Sequence, residues 1–250
     1  MIAADFSIVW PVIRFSEIDS TNEEARRRAQ SGDAGPCWLT SEIQTTGRGR
    51  LGRQWDSPKG NLFATALFVF PRLPVEAALA SYSAGLAVLD AAKASGIDVS
   101  ALKLKWPNDV LTGDAKLAGI LIETGTSQGQ LWMAAGFGVN VATAPERPDR
   151  ATARLSDFPG GRDMTASQLL LGLDMAFRSR LVRLLGEGFG PTRDDWLAKA
   201  AHLGKRVQLQ ATSGRLEGVM KGLSDDGALI VELDSGSVTH IRAGEISLLG

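Results

Sequence analysis

Apolar and polar positions change their period several times along this 250-residue chain, and the changes divide it into elements. The stretch VIRFSEI (12–18) alternates weakly, as a half-buried strand does. DSTNEEARRRAQSG (19–32) then carries a helix start, with Ser20 or Thr21 as N-cap, Glu23 or Glu24 three residues on, and Gly32 at the close. CWLTSEI (37–43) and NLFATALFVF (61–70) are rich in β-branched, aromatic and aliphatic residues and predict strands. VEAALASYSAGLAVLDAAKASG (75–96) is apolar almost all round, which predicts one long buried helix. KLKW, DVLT, KLAGILIET and QLWMAAGFGVNV predict further strands, separated by the turn signals TGD and TSQGQ, and together they predict a mixed sheet built mainly from hairpins. TASQLLLGLDMAFRSRLVRLL and TRDDWLAKAA are the last helical patterns. From Leu203 the texture changes to short strands and turns, which predicts a small barrel. Two units follow, an α+β unit over 1–202 and an all-β unit over 203–250, the second small enough that it should dock on the first.

Composition narrows the chemistry. Net charge is −1, so the overall basic excess of a dedicated nucleic-acid binder is missing and any favoured anion is bound locally. One cysteine, Cys37, excludes an internal disulfide, and two histidines, His202 and His240, argue against a zinc enzyme. MIAADFSIVWPVIRF has no basic region before its short apolar run, and no stretch reads as a membrane span. The expectation is a cytoplasmic protein in a reducing compartment, bound to neither membrane nor nucleic acid.

Against that near-neutral background, TTGRGRLGRQW (45–55) concentrates Arg48, Arg50 and Arg53 among Gly47, Gly49 and Gly52. Glycines let backbone N–H groups approach a ligand, and guanidinium forks suit carboxylate or phosphate. A solvated surface loop is the plain alternative for such a stretch taken alone. The phosphate-loop pattern GxxxxGK[ST] is absent, and GRGRLG precedes a polar stretch and a strand instead of opening a helix, which argues against a Rossmann site. Lys105 and Lys116 flank a Trp-Pro-Asn-Asp turn, and Lys116 begins a strand so apolar that a lysine there is unusual. Strand-end lysines that snorkel to water are the plain alternative. GFGVN (136–140) closes a strand with two glycines and Asn140, where backbone can approach a planar ligand or form a bulge.

These stretches together resemble biotin–protein ligases, which attach biotin to carboxylase carrier domains. The resemblance rests on DSTN (19–22), Q-x-x-G-R-G-R-x-G-R-x-W from Gln44 to Trp55, KWPND (105–109), KLAGIL (116–121), GFGVN, and the C-terminal DDGALIVE and EISL, and it spans nearly the whole chain. It implies a class II synthetase-like catalytic domain, a mixed β-sheet with helices on one face, followed by an SH3-like barrel. It also implies ATP and Mg²⁺ beside biotin, a biotin carboxyl carrier protein as the source of the acceptor lysine, and a homodimer as in many members. The winged-helix repressor domain of some relatives has no room before DSTN. By the resemblance, Ser20, Thr21, Asn22 and Gln44 line the ureido pocket, Gly47, Gly119 and Leu121 complete the biotin site, and Arg48, Gly49 and Arg50 wrap the acyl carboxylate and phosphate. Lys116 bridges the same anionic centre, Asn108 and Asn140 are adenine contacts, Trp55 and Gly138 lie on the ATP side, and Asp109 orients or deprotonates the acceptor amine.

The implied reaction brings two anions together, so a positively charged lid with Lys116 lowers the repulsion. Lipoate–protein ligases, which activate a different acid in the same way, are the nearest alternative, and a nucleic-acid module using the arginine loop is the non-enzymatic one. Two features depart from the pattern or lie outside it. The chain ends in SLLG without the basic residue that the family often carries near the ATP phosphates, and residues 143–161 are an unassigned loop, expected to be ordered by ligand.

Overall fold

A computed structural model describes residues 5–148, 150–211 and 214–248. The larger of its two sheets contains β1 (Val12–Ile18), β2 (Cys37–Gln44), β3 (Leu62–Val69), β4 (Leu102–Lys105), β5 (Asp109–Thr112), β6 (Ala115–Ser127) and β7 (Gln130–Val139), in the order β1-β2-β3-β7-β6-β5-β4. β1 is parallel to β2 and all other neighbours are antiparallel, which is the mixed sheet that the turn signals require.

Strand alternation divides the core between two faces. Trp38, Ala66, Phe68, Met133 and Phe137 face one side, where α3 (Ala80–Ala94), α4 (Ala166–Glu187) and α5 (Phe189–Ala198) cover them. Phe177 of α4 packs against the rings of Trp38, Phe68 and Phe137 at 6.3, 6.3 and 5.2 Å. A buried ion pair, Asp174–Arg178 at 2.8 Å, fixes the same helix by accepting from Trp38 Nε1 and donating to the Phe6 carbonyl. The opposite side carries Leu39, Leu67, Trp132 and Ala134 beneath Ala25 and Ala29 of α1 (Thr21–Gln30). The long helices therefore share one face as expected, and among the described residues α1 is the one helix on the other.

The long helical pattern is interrupted into α2 (Pro74–Ala77) and α3. Their combined span, Pro74–Ala94, is long and apolar enough by composition to cross a membrane, contrary to the sequence reading, but most of its apolar stretch is buried inside the protein as core. The second sheet, β8 (Arg206–Ala211), β9 (Gly214–Leu223), β10 (Leu229–Leu233), β11 (Val238–Ile241) and β12 (Gly244–Leu248), is antiparallel in the order β11-β10-β9-β8-β12. Its buried residues Val207, Leu209, Met220, Val231 and Ile246 are continuous with the larger core. The small unit is therefore docked, and the Tyr82 hydroxyl donates to the Gly227 carbonyl across the junction at 2.5 Å. The expected division at residue 203 falls between α5 and β8.

Candidate active site

On the α1 side of the sheet, register gathers three glycines: Gly119 faces Gly138, and Gly136, two residues away, faces Leu121. The bare patch they leave is filled from above. A Cβ at Gly138 would lie 2.5 Å from the Trp55 indole, one at Gly136 2.1 Å from Asn22 Oδ1, and one at Gly119 3.3 Å from Lys116 Nζ. Glycine is required there by close approach of side chains, and the register runs unbroken through Gly136–Gly138, so GFG is a floor and not a bulge.

The arginine segment covers this floor as a short hairpin. Arg48 pairs with Gln54, Gly49 N–H donates to the Arg53 carbonyl at 2.7 Å, and Trp55 N–H donates to the Gly47 carbonyl at 2.9 Å. Its tip is a tight turn at Arg50–Gly52, where Leu51 adopts φ 57° and is exposed. Each arginine finds a different partner: Arg48 pairs with Glu23 of α1 and with Glu123 of β6 at 3.0 Å, Arg50 donates weakly to Asn108 Oδ1 and the Gly244 carbonyl, and Arg53 pairs with Glu245 of β12. Burial pushes the Arg50 guanidinium below its usual range. Two lid donors, Arg48 Nε and Trp55 Nε1, are buried with no hydrogen-bond partner. Buried donors of this kind call for an acceptor.

Lys116, at the start of β6, turns into the cleft, where Nζ contacts Asp109 Oδ1 at 2.6 Å and lies 5.3 Å from the Trp55 ring centroid. Burial lowers its pKa, against the opposing pull of Asp109. The WPND turn is clamped to the same strand, since Asn108 Nδ2 donates to the Ile120 carbonyl at 2.7 Å and Ile120 N–H donates back to the Asn108 carbonyl at 2.9 Å. At the far end of the cleft, Gln44 Oε1 accepts from Thr21 N–H at 2.8 Å, and Asn22 Oδ1 accepts from the Thr65 hydroxyl at 2.6 Å.

The cleft lining thus brings together Ser20, Thr21, Asn22, Gln44, Arg48, Gly49, Arg50, Trp55, Asn108, Asp109, Lys116, Gly119, Leu121 and Gly138. Gly47 and Asn140 fall outside it. Gly47 backs onto the Trp55 carbonyl and Ser57, on the outer side of the lid. Asn140 is buried, and its Nδ2 donates to the Lys116 and Ala153 carbonyls at 3.4 and 3.0 Å, so its side chain stitches the following loop to the sheet. That loop is ordered by backbone pairing: Lys116 N–H donates to Ala151 and Ala153 N–H to Lys116, both at 2.9 Å, while Arg147 reaches the lid at Asp56 and the Gln54 carbonyl. Asp149, in this loop, and Leu249 and Gly250, at the end of SLLG, lie outside the described residues. The sequence reading missed Glu23, Glu123 and Glu245 as lid partners. Their only local signals are an acidic residue after DSTN, the end of KLAGILIE and the start of EISL.

An acid-activating ligase is the class that this cationic, lidded cleft beside a small β unit defines, and the sequence matches the biotin/lipoate A/B protein ligase family over residues 15–140 and the biotin protein ligase C-terminal domain over residues 202–249. The chain belongs to that family. It is 37% identical to the biotin–[acetyl-CoA-carboxylase] ligase of Paracoccus denitrificans, over 87% of this chain and 92% of the relative. Identity to the enzyme of that name from Mycobacterium tuberculosis is 32%, over 91% and 88%. In structure it is similar to the biotin protein ligase of Aquifex aeolicus solved in complex with biotin and ATP, with TM-score 0.78 and 28% identity over 96% of this chain and 98% of that one.

Proposed function

We propose that this chain activates biotin with ATP to biotinyl-5′-AMP and transfers the biotin to a lysine of a biotin carboxyl carrier domain. The observation that carries the reading is the closed lid, in which buried, unpartnered Arg48 Nε–H and Trp55 Nε1–H share a cleft with Lys116 Nζ. In the first step a biotin carboxylate oxygen attacks the α-phosphorus of ATP and pyrophosphate leaves. Arg48, Arg50 and Lys116 offset the repulsion of the two anions and stabilise the charge that builds up at the phosphorus. In the second step the acceptor amine attacks the acyl carbon, AMP leaves, and the amine proton is lost. Asp109, 2.6 Å from Lys116 Nζ, orients that amine or takes its proton. Ser20, Thr21, Asn22 and Gln44 form the ureido end of the biotin site, and Asn108 and Trp55 the nucleotide side.

Magnesium has no protein cage here. Among the described residues no group of three His, Cys, Asp or Glu could hold a metal ion, and the cleft carboxylates Asp109 and Glu245 are paired with Lys116 and Arg53. We place the metal with the triphosphate and assign it no protein ligand. A cytoplasmic site and a homodimer are further parts of this proposal, supported by the single buried cysteine, Cys37, and by the family resemblance respectively. Pyrophosphate release that requires both biotin and ATP, and that lipoate neither supports nor inhibits, tests the reading. Equal activation of lipoate would move the chain to the lipoate branch.

A further inference from the structure

The steps above leave Glu123 without a role, yet it is the charged link in a continuous hydrogen-bond chain. Its carboxylate accepts from Arg48 Nη2 on both oxygens at 3.0 Å and from Asn22 Nδ2 at 2.7 Å. Asn22 Oδ1 accepts from the Thr65 hydroxyl at 2.6 Å, which stands 2.8 Å from the Thr21 hydroxyl. Thr21 N–H donates to Gln44 Oε1, and Gln44 Nε2 donates to the Ser57 hydroxyl at 3.1 Å. The chain therefore leaves the lid at Arg48, crosses the ureido end of the cleft and returns to the foot of the lid at Ser57.

Register explains how Glu123 comes to stand there. Leu121 and Glu123 pair across β6–β7 with Gly136 and Ala134, on the face that carries α1, so Glu123 lies beside the α1 start and beneath the lid. Charge is balanced around it. Arg48 Nη1 is taken by Glu23, which also pairs with Arg26 at 2.5 Å, so two guanidinium groups meet two carboxylates. With both terminal nitrogens of Arg48 held in this way, its Nε–H is left as the buried donor without a partner.

We propose that Glu123 is a positioning residue, which locks the Arg48 guanidinium and the Asn22 amide into one unit so that the lid stays shut over the acyl-adenylate with Arg48 Nε–H presented to it. This rests on the biotin-activating reading above. Glu123 touches no reacting atom. It acts through its two side-chain partners, Arg48 at the lid and Asn22 at the start of α1.

Glu123→Gln keeps the shape but offers one carbonyl oxygen to two N–H donors and sets its own amide hydrogens against them. Biotinyl-adenylate should then dissociate about tenfold faster and the KM for biotin rise about tenfold, the effect of losing one charge-assisted hydrogen bond, while the KM for ATP stays within about twofold. In an Arg48→Ala background the same change should add less than about twofold to adenylate release, since the two residues act as one unit. If Glu123→Gln does not fold, Glu123→Asp, which keeps the charge but shortens the reach, is run through the same cycle with the same expectation. An unchanged off-rate overturns the proposal, as does a full tenfold effect persisting without Arg48, which would make Glu123 a packing residue. A wild-type protein that releases no pyrophosphate with biotin and ATP fails the reading itself, whereas an active wild type with an indifferent Glu123→Gln fails only the positioning role.

Discussion

Replacing Lys116 by Met separates charge from packing at the centre of the cleft. The thioether chain keeps the apolar stem beside Gly119 and the Trp55 ring, and only the ammonium 2.6 Å from Asp109 and 5.3 Å from the indole centroid is lost. Removing one preorganised donor to developing transition-state charge costs on the order of 3 kcal/mol, so biotin-dependent pyrophosphate release should slow by roughly 100-fold or more. The fold pays a smaller penalty: Asp109, with a side chain 17% exposed, loses its ion-pair partner, which costs on the order of 1–3 kcal/mol and should appear as a lower melting temperature. Biotin binding, measured by quenching of tryptophan fluorescence without ATP, should change far less than the rate, because the ureido contacts at Thr21, Asn22 and Gln44 are untouched. Stopped-flow pyrophosphate release on the folded variant is the assay. A rate within about threefold of wild type would refute the electrostatic role, since that is less than a single ordinary hydrogen bond contributes.

Gly138→Ala places a Cβ 2.5 Å from the Trp55 indole, so the lid should no longer seat, and amides of residues 45–55 should stay unprotected from exchange when biotin is added. Ligand-induced protection equal to wild type would show that the glycine floor is dispensable. Arg48→Gly removes the ion pairs to Glu23 and Glu123 that hold the lid, so reactive adenylate should escape and biotinylate a bystander such as albumin; pyrophosphate release without bystander labelling would rule out retention by this residue. His202 is buried, and burial together with Lys105 and Lys205 pushes its imidazole down to about 4, against about 6.5 in the unfolded chain, with Asp114 opposing. Between those values the unfolded chain binds the extra proton, so stability is full above pH 6.5 and falls by up to about 3 kcal/mol as pH drops to 4. His202→Phe should flatten that part of the denaturant-midpoint curve, and an unaltered slope would assign it elsewhere.

Strand alternation and quoted motifs located most of the cleft because its chemistry is written in short contiguous stretches: the GRGRLGR lid, the WPND turn and the KLAGIL and GFG strands. Side-chain partnerships across long sequence separations were not legible. Arg48 meets Glu123, and Arg53 meets Glu245 of the small domain, only after β6 and β12 reach the cleft. α1 hides its face in the sequence because its apolar stripe is only Ala25 and Ala29 beside Glu23, Glu24, Arg26, Arg27 and Arg28, too weak a pattern to say which side of the sheet it covers. β6 runs on to Ser127 through polar residues that resemble a turn, since that end of the strand is solvent-facing. Asn140, which the resemblance makes an adenine contact, stands outside the cleft lining with its Nδ2 on the Ala153 carbonyl, a tie across thirteen residues that no short motif shows.

Mass analysis of a carrier domain tests the two-step transfer most directly. Purified protein is incubated with biotin, ATP, magnesium and a biotin carboxyl carrier domain. The expected product is one biotinyl group on a single carrier lysine, formed with one pyrophosphate and one AMP per turnover, and no lipoyl group when lipoate replaces biotin. An unmodified carrier domain despite folded enzyme and intact ATP would contradict it, and so would a lipoyl adduct formed as fast as the biotinyl one.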